Sequence, residues 1–305
     1  MERVVHTSER GMRLDRFLRI HAPRAPAAAV LLKQGRLTVD GRRARASDVL
    51  AAGQVVRVAD PPPRGAAEPG RAAATAAERE LLARITLFED ADLIVFDKPS
   101  GLAVHRGTRT TDDLDSVLAK LVDAEGERPR LVHRLDKDTS GLLVAAKHGR
   151  LAEMLGRAFA TRTVEKTYLA VVEGVPSPPR GRIATPLKKV ATAKGGRMVA
   201  AAPDDPEGLA AATTWEVIEP APDGRSSLVA LHPETGRQHQ LRIHAALLGH
   251  PILGDRLYGT AATAPRLMLH AHRLVLPDGR GATRSFVAPL PPGFAGAVAG
   301  PVGSG

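Results

Sequence analysis

The chain has 305 residues, of which 43% are hydrophobic, which is enough for one large domain with a packed core together with a small domain. It contains no cysteine, which excludes a disulfide framework and thiolate metal sites. No apolar run approaches the roughly 18 residues of a membrane span, and residues 1–10 lack the apolar centre of a signal peptide, so we expect a cytoplasmic protein.

Basic residues are concentrated near the N-terminus. Residues 1–60 hold 12 Lys+Arg and 6 Asp+Glu, a surplus of +6 within a formal net charge of +10 for the whole chain. Such an excess favours a polyanionic partner, although a basic surface without any partner is the alternative. Aromatic residues make up only 3% of the chain, which argues against recognition of RNA by a broad stacking platform.

Residues 1–59 are predicted to form a compact module. Leu14, Phe17 and Leu18 have helical spacing, and residues 30–32 indicate a second short helix. A strand over 37–39 then leads into a turn at Asp40 and Gly41, and residues 53–58 form another strand. Proline, glycine and alanine crowd residues 60–79 without periodicity, which predicts a linker.

Residues 80–290 are predicted to form the main domain, and residues 291–305 a disordered tail. A short apolar strand over 93–96 is followed by a turn over 97–101. Two amphipathic helices follow from apolar residues at helical spacing, one running from Leu114 to Val122 and the other from Leu151 to Phe159. Helices and strands mix without regular βαβ alternation, which favours an α+β fold with a mixed sheet.

The run LVHRLDKDTSG, residues 131–141, is the segment most informative about function. Alternation predicts a strand that places Arg134 and Asp136 on one face, followed by a turn over 138–141 and a second strand over 142–146. A carboxylate beside Arg134 and Lys137 should stay ionised, which suits a nucleophile. The alternative is a surface hairpin with a solvated Asp136.

The sequence HRLDKDTSG closely resembles the catalytic-loop motif of the RluA-type pseudouridine synthases. The resemblance implies that the chain isomerises uridine in RNA to pseudouridine, breaking the N1–C1′ bond and joining C5 to C1′, without a cofactor or a metal. It makes Asp136 the nucleophile, which would attack the uracil ring or the ribose C1′, or assist glycal formation; the sequence does not choose between these routes.

Tyr168 is the second candidate catalytic residue. It lies in an alternating segment, residues 165–172, that predicts a strand, where a tyrosine is commonly a core residue with its hydroxyl hydrogen-bonded. The RluA-type family carries a KxY element at this point, which Lys166 and Tyr168 match. The resemblance implies that Tyr168 stacks on or serves the target base near Asp136.

Arg242 is the third candidate. Thr235 and Gln238 form a T-x-x-Q capping box, and Gly249 followed by Pro251 ends the predicted helix. The run TGRQHQLRIH, residues 235–244, is similar to the family's third motif, in which the arginine at this position pairs with the catalytic aspartate. Without that motif, Arg242 would be read as an exposed helical arginine.

Two further segments, residues 249–259 and 269–274, are also similar to the family and are expected to have structural roles around the cleft. The histidines in this region raise the alternative of a metal-dependent hydrolase. His239 and His244 are five residues apart, which is wrong for the i, i+4 pairing of HExxH. We therefore predict no metal site, although His270 and His272 share a predicted strand face.

The N-terminal module resembles the S4 domain, a small RNA-binding fold. The resemblance assigns phosphate contacts to its basic residues, namely Arg13, Arg16, Lys33, Arg36, Arg42 and Arg43. His133 and Arg134 are also predicted to bind RNA. A stacked uridine must be extruded before a carboxylate can reach it, and Arg134 would fill the space that the base leaves.

An S4 module joined to this catalytic domain is most similar to family members that act on large-subunit (23S) ribosomal RNA. Transfer RNA is the alternative substrate, and a non-catalytic RNA-binding or ribosome-assembly factor is the alternative class. No obligate protein partner is evident, and we expect a monomer.

Overall fold

The computed structural model describes residues 1–22, 28–33, 35–59, 73–105, 113–123, 126–192, 195–259, 264–279 and 281–294. The chain divides into two compact units, Met1–Ala67 and Glu68–Gly305. The division falls within the segment predicted to be a linker, of which residues 60–72 lie outside the described residues.

The first unit contains a four-stranded antiparallel sheet and two helices. The helices are α1 (Leu14–His21) and α2 (Ala28–Lys33), and the strands are β1 (Glu2–Val4), β2 (Leu37–Val39), β3 (Arg42–Arg43) and β4 (Val55–Val58), in the order β1-β4-β2-β3. Asp40 and Gly41 have φ values of 50° and 73°, as a tight turn between β2 and β3 requires. The core contains Leu14, Phe17, Leu31, Leu37 and Val56, all buried.

The second unit contains four helices and twelve strands among its described residues. The helices are α3 (Ala76–Ile85), α4 (Leu114–Leu118), α5 (Gly149–Ala160) and α6 (Gln240–Leu247). The strands are β5 (Thr86–Glu89), β6 (Leu93–Lys98), β7 (Arg130–Leu131), β8 (Ser140–Ala146), β9 (Glu165–Glu173), β10 (Arg180–Ile183), β11 (Leu187–Thr192), β12 (Gly195–Ala200), β13 (Thr213–Pro220), β14 (Ser226–Pro233), β15 (Leu269–Pro277) and β16 (Thr283–Val287).

One mixed sheet organises this unit. Its strands follow the order β10-β13-β14-β9-β15-β8-β6-β5, with β16 beside β15 and β7 beside β8, while β11 and β12 form a separate hairpin. Strands β15 and β8 pair in parallel and their other neighbours are antiparallel. The mixed sheet with its helices confirms the predicted α+β fold.

The contact between β8 and β15 requires a glycine. Gly141 has φ 106°, and a Cβ at this position would overlap the backbone of Ala271 in the facing strand. All seven residues of β8 are buried, so this strand lies within the core. The loop that precedes it, which holds Asp136, is therefore anchored to a rigid part of the sheet.

Both ends of the predicted main domain are more ordered than the composition indicates. Helix α3 begins at Ala76, inside the predicted linker, because Thr75 and Glu78 form a capping box. Phe294, in the predicted disordered tail, is 1% exposed and packs in a core cluster with Leu269 and Met268. Residues 295–305 lie outside the described residues.

Two elements are shorter than predicted. Helix α4 ends at Leu118, so Val122 is not part of a buried stripe and is 46% exposed. The strand predicted over residues 131–136 ends at Leu131, and beyond it the Val144 N–H of β8 donates to the His133 side chain instead of to a backbone carbonyl. No helix in the described part of the chain is long and apolar enough to cross a membrane.

Candidate active site

The three predicted catalytic residues line one pocket of about 420 Å³. Asp136 comes from the loop between β7 and β8, Tyr168 from β9 and Arg242 from α6. Residues from these segments and from the end of α5 also line the pocket, among them His133, Arg134, Thr139, Phe159, Arg162, Lys166, Arg237, Gln238 and His239. Segments more than 100 residues apart in the chain thus meet at a single concave site.

Hydrogen bonds to its backbone carbonyls fix the loop that holds Asp136. The Asp136 carbonyl accepts from the Thr139 N–H at 3.2 Å, which closes a turn. The Lys137 carbonyl accepts from Gly101 N–H at 2.9 Å, and the Asp138 carbonyl accepts from the Ser100 hydroxyl at 2.7 Å. The Asp136 side chain, 18% exposed, faces the pocket from this loop.

Lys98 is a residue that sequence analysis missed. Its ammonium is fully buried and donates to the carbonyls of Pro99, Leu102 and Lys137 at 2.9, 3.0 and 2.9 Å. Burial lowers the pKa of Lys98 to about 8, although the charges of Asp138, Asp136 and Asp97 oppose this shift. Lys98 therefore joins the turn after β6 to the Asp136 loop.

His133 holds the other side of the same loop. Its ring stacks on Phe159 with centroids 4.5 Å apart, and its Nε2 accepts from Val144 N–H at 3.0 Å. Burial, with a smaller effect of Lys166, lowers the pKa of His133 to about 3, so the ring is neutral near pH 7. The ring that we predicted to bind RNA is thus engaged in the fold, although it also lines the pocket.

Tyr168 lies on β9 at the centre of the sheet, opposite Leu231 of β14 and Ala271 of β15. Burial and the charge of Asp136 both raise the pKa of Tyr168. Its hydroxyl therefore keeps its proton at neutral pH. The geometry places a half-buried aromatic ring in the same pocket as Asp136, where it can contact a base.

The structure corrects the expected partner of Arg242. Nε and Nη2 of Arg242 donate to Asp255 at 2.7 and 2.6 Å, and both side chains are buried, with 4% and 0% exposed. Asp255 also accepts from the backbone N–H groups of Leu257 and Tyr258. Burial opposes ionisation of Arg242, but the bonds to Asp255, with a further effect of the Asp136 charge, raise its pKa. Arg242 is thus a fixed cation near Asp136 and not an exposed helical arginine.

The start of helix α6 also differs from the predicted capping box. The helix begins at Gln240, and the Thr235 hydroxyl donates to the Gln240 side chain at 2.6 Å instead of capping at Gln238. The Gln240 amide nitrogen donates to the Ala212 carbonyl at 2.8 Å. This buried network ties the segment before α6 to the sheet.

His239, the residue before α6, has a left-handed backbone with φ 56°. Its Nε2 lies 4.0 Å from Asp136 Oδ2, and its Nδ1 lies 2.9 Å from the Tyr258 hydroxyl. The Tyr258 hydroxyl donates to the Met198 carbonyl at 2.9 Å. The sequence pointed to His239 only as a metal ligand, because the residues that it contacts are distant along the chain.

The remaining histidines give no support to the metal alternative. His244 lies within hydrogen-bond distance of Thr213 and of the Thr185 carbonyl, and His270 of Ser140. In the part of the chain that the structure describes, no three His, Asp, Glu or Cys side chains are grouped as a metal site would require.

Basic side chains surround the pocket. Arg134 and Arg162 are exposed, and Lys166 and Arg237 are partly buried.

The basic residues predicted to contact phosphates in the first unit differ in their surroundings. Arg16, Arg42 and Arg43 are exposed. Arg13 pairs with Asp15 at 2.9 Å, and Arg36 donates to the Ala59 carbonyl at 3.1 Å. The side chain of Lys33 lies outside the described residues.

A family model described as RNA pseudouridylate synthase matches residues 92–247, which include Asp136, Tyr168, His239 and Arg242. The chain belongs to this family, in its RluA-type group, and is an enzyme that isomerises uridine in RNA.

Individual relatives agree with the family. The chain is 42% identical over 217 residues to an uncharacterised RNA pseudouridine synthase of Zymomonas mobilis, covering 70% of this chain and 97% of that one. It is 36% identical over 273 residues to the ribosomal large subunit pseudouridine synthase C of Rickettsia bellii, covering 87% and 89%. Among solved structures, human RNA pseudouridylate synthase domain containing 4 superposes with a TM-score of 0.59 at 31% identity, covering 71% and 92%.

Proposed function

We propose that this chain is a pseudouridine synthase of 23S ribosomal RNA, acting in the cytoplasm as a monomer, with Asp136 as its nucleophile. The observation that carries the proposal is the Asp136 carboxylate, held by a hydrogen-bonded loop in a pocket with Tyr168 and Arg242. A binding factor needs no such carboxylate facing its RNA, and carboxylates repel phosphates.

The substrate is inferred from a relative that matches both units. The Rickettsia bellii synthase, named for the large ribosomal subunit, covers 87% of this chain. The second unit, residues 68–305, makes up a smaller share of the chain than this, so the similarity must extend into the first unit. The match to the first unit therefore supports a ribosomal target for this chain. The fold and the exposed arginines of that unit support the S4-like, RNA-binding role given to Arg16, Arg42 and Arg43.

Each site residue has one role in the proposed mechanism. The base enters the pocket after extrusion from the RNA, and Arg134, exposed at the rim, fills the space it leaves. Asp136 acts on the reacting nucleoside while the N1–C1′ bond breaks and C5 joins C1′. Arg242, fixed by Asp255, supplies a positive charge beside Asp136, and Tyr168 contacts the base.

The first experiment is release of tritium from 5-tritiated uridine in unmodified 23S ribosomal RNA. Isomerisation leaves the mass of RNA unchanged, whereas loss of the C5 hydrogen reports the reaction directly. We expect release by the wild-type enzyme and a rate at least 10³-fold lower for Asp136→Asn, which keeps the shape of the side chain without its charge. Asp138→Asn, a change in the same loop, is the matched control and should remain active.

The outcomes separate the alternatives. Release from transfer RNA but not from ribosomal RNA would contradict the substrate. Release by Asp136→Asn at the wild-type rate would contradict the assignment of the nucleophile. Release by neither protein from any RNA would favour the binding factor over the synthase.

A further inference from the structure

Ser140 connects the Asp136 loop to the sheet. It follows directly on the turn that Asp136 and Thr139 close, and it is the first residue of β8. Strands β8 and β15 meet over two residue pairs, the first of which joins Ser140 to His270. On the side of β15, the end of the loop is therefore held by a very short strand contact, and whatever fixes that contact also fixes the loop.

Ser140 and His270 point to the face of the sheet that lies away from the pocket. Tyr168, which lines the pocket, is in one row with Ala271 of β15 and Gly141 of β8. Neighbours along a strand point to opposite faces, so the side chains of Ser140 and His270 point away from the substrate. Both are buried, with 3% and 0% exposed. A group that binds them touches no reacting atom and can act on the reaction only through the position of the adjoining loop.

Arg266, in the segment before β15, reaches this buried pair. Its Nη1 donates to Ser140 Oγ at 3.0 Å. Ser140 Oγ lies 3.0 Å from His270 Nδ1 and 3.3 Å from the Leu269 carbonyl, one of which takes the hydroxyl proton. The guanidinium of Arg266 lies over the ring of Phe294, 5.3 Å from its centroid. Ser140 is thus bonded both to β15 and to the segment that leads into this strand.

A cation at this place is costly for the fold alone. Burial lowers the pKa of Arg266, against the charge of Asp97, and Nη2 of Arg266 has no hydrogen-bond partner among the described residues. Burial also lowers the pKa of His270 to about 4, so its ring is neutral at pH 7. An apolar side chain would pack here at lower cost, whereas a polar network fixes one arrangement of the strands that it joins.

We propose that Arg266 is a positioning residue for the reaction, which sets the place of the Asp136 carboxylate through its hydrogen bond to Ser140. The bonds to the turn after β6 anchor the middle of the loop, and the Arg266 bond anchors its end. A misplacement of a reacting group by about 1 Å can slow a reaction by about 10²-fold. This inference rests on the proposed function, in which Asp136 is the nucleophile.

The test compares two variants of the full-length chain with a matched control. Ser140→Ala removes the acceptor of the Arg266 bond, and Arg266→Met removes its donor but keeps an apolar stem. Ser227→Ala is the control, because Ser227 is also buried in the sheet and donates to the Gly174 carbonyl at 2.8 Å, away from the pocket. Tritium release from 23S ribosomal RNA gives kcat and KM, and hydrogen exchange gives the protection of residues 136–141.

We expect kcat to fall by roughly 10- to 100-fold in Ser140→Ala and in Arg266→Met. KM should stay within about twofold of the wild-type value, because the network touches no RNA. The double variant should be slower than either single variant by no more than about twofold, since both changes remove the same bond. Arg266→Lys, which keeps a donor, should recover part of the rate. Residues 136–141 should exchange faster in the two variants, whereas Ser227→Ala should keep the wild-type kcat and exchange.

The contrary outcomes are distinct. Wild-type kcat in both variants would overturn the proposal, as would an equal fall in Ser227→Ala or a rise in KM at unchanged kcat. Loss of the folded state in both variants at the assay temperature would make the bond a requirement of the fold and overturn the positioning role. Absence of tritium release by the wild-type enzyme would instead overturn the proposed function. Hydrogen exchange would then still decide the positioning role, which unchanged exchange of residues 136–141 would contradict.

Discussion

Asp255 explains how an arginine can be buried near Asp136, the proposed nucleophile. Arg242 is 4% exposed, and a guanidinium in such a place needs a carboxylate partner. Had Asp136 been that partner, each of its two oxygens would have accepted a hydrogen bond from the guanidinium. Because Asp255 accepts the hydrogen bonds from Nε and Nη2 of Arg242, the Asp136 carboxylate remains open to the substrate. The positive charge of Arg242 nevertheless stays near it.

Removal of the Asp255 carboxylate should therefore destabilise the fold. In Asp255→Ala, the Arg242 guanidinium stays buried without its partner, and we expect the free energy of unfolding to fall by about 3–5 kcal/mol. Urea denaturation measures the change. The control is Glu153→Ala, which breaks an exposed pair with Arg157 and should cost about 0.5 kcal/mol or less. Similar costs for the two variants would contradict the view that burial gives the Asp255 pair its importance.

At the level of single residues, sequence analysis was informative where short motifs carry the signal. It selected Asp136, Tyr168 and Arg242, and the structure brings them into one pocket. It could not select Asp255 or Lys98, because an isolated acid or lysine in a sequence gives no sign that it will be buried. Their partners are defined only by the tertiary fold.

The segment before the Asp136 loop departs from the strand that its alternating pattern predicts. Residues 131–136 alternate as a strand would, yet regular pairing ends at Leu131. The His133 ring turns back to accept from the Val144 N–H, and the chain then closes a turn between Asp136 and Thr139. A side-chain hydrogen bond thus replaces strand pairing, and the exchange leaves Asp136 in a loop where its carboxylate faces the pocket.

The His133 contact makes the stability of this loop depend on pH. The unfolded histidine has a pKa near 6.5, whereas burial in the fold lowers it to about 3. Between pH 3 and pH 6.5 the unfolded state therefore binds more protons than the folded state. The stabilisation that the neutral His133 ring provides is complete above pH 6.5 and is lost as the pH falls towards 3.

Between pH 7 and pH 5, His133 alone should reduce the free energy of unfolding by about 2 kcal/mol. His133→Gln keeps an acceptor for Val144 but does not titrate, so the stability difference between wild type and variant should shrink by that amount. Chemical denaturation at the two pH values measures it. A constant difference would show that the folded histidine titrates like an unfolded one.

On the scale of the whole molecule, the charge distribution predicts how the first unit contributes. Arg42 and Arg43 form β3 and are exposed. If both contact phosphates, replacing them by alanine should weaken RNA binding and reduce the slope of log K against log salt by about 1.5. The rate at saturating RNA should be unchanged, since neither residue lines the pocket.

Binding isotherms at several salt concentrations provide the measurement. Arg225→Ala is the control, because this side chain is 88% exposed and lies outside the predicted RNA-binding residues. An equal change of slope in both variants would mean that overall charge, and not a defined surface on the first unit, determines RNA affinity.

The fold class follows from composition and element order, but the sheet arrangement does not. Alternation and helical spacing predict elements such as α5 and β9 with small errors at their ends, but our sequence analysis predicted none of the strands β10 to β14. The parallel pairing of β8 with β15 joins segments about 130 residues apart, and no local pattern specifies it. The order of ten strands depends on such long-range contacts.

That pairing has a consequence for the timing of synthesis. The ribosome makes chains from the N-terminus at about 5–20 residues per second, so the Asp136 loop and Tyr168 emerge well before β15. Until Ala271 is available, β8 and β9 lack the strand that lies between them. A nascent chain therefore carries Asp136 and Tyr168 before their site is assembled, and we expect it to gain activity towards RNA only after β15 has been made.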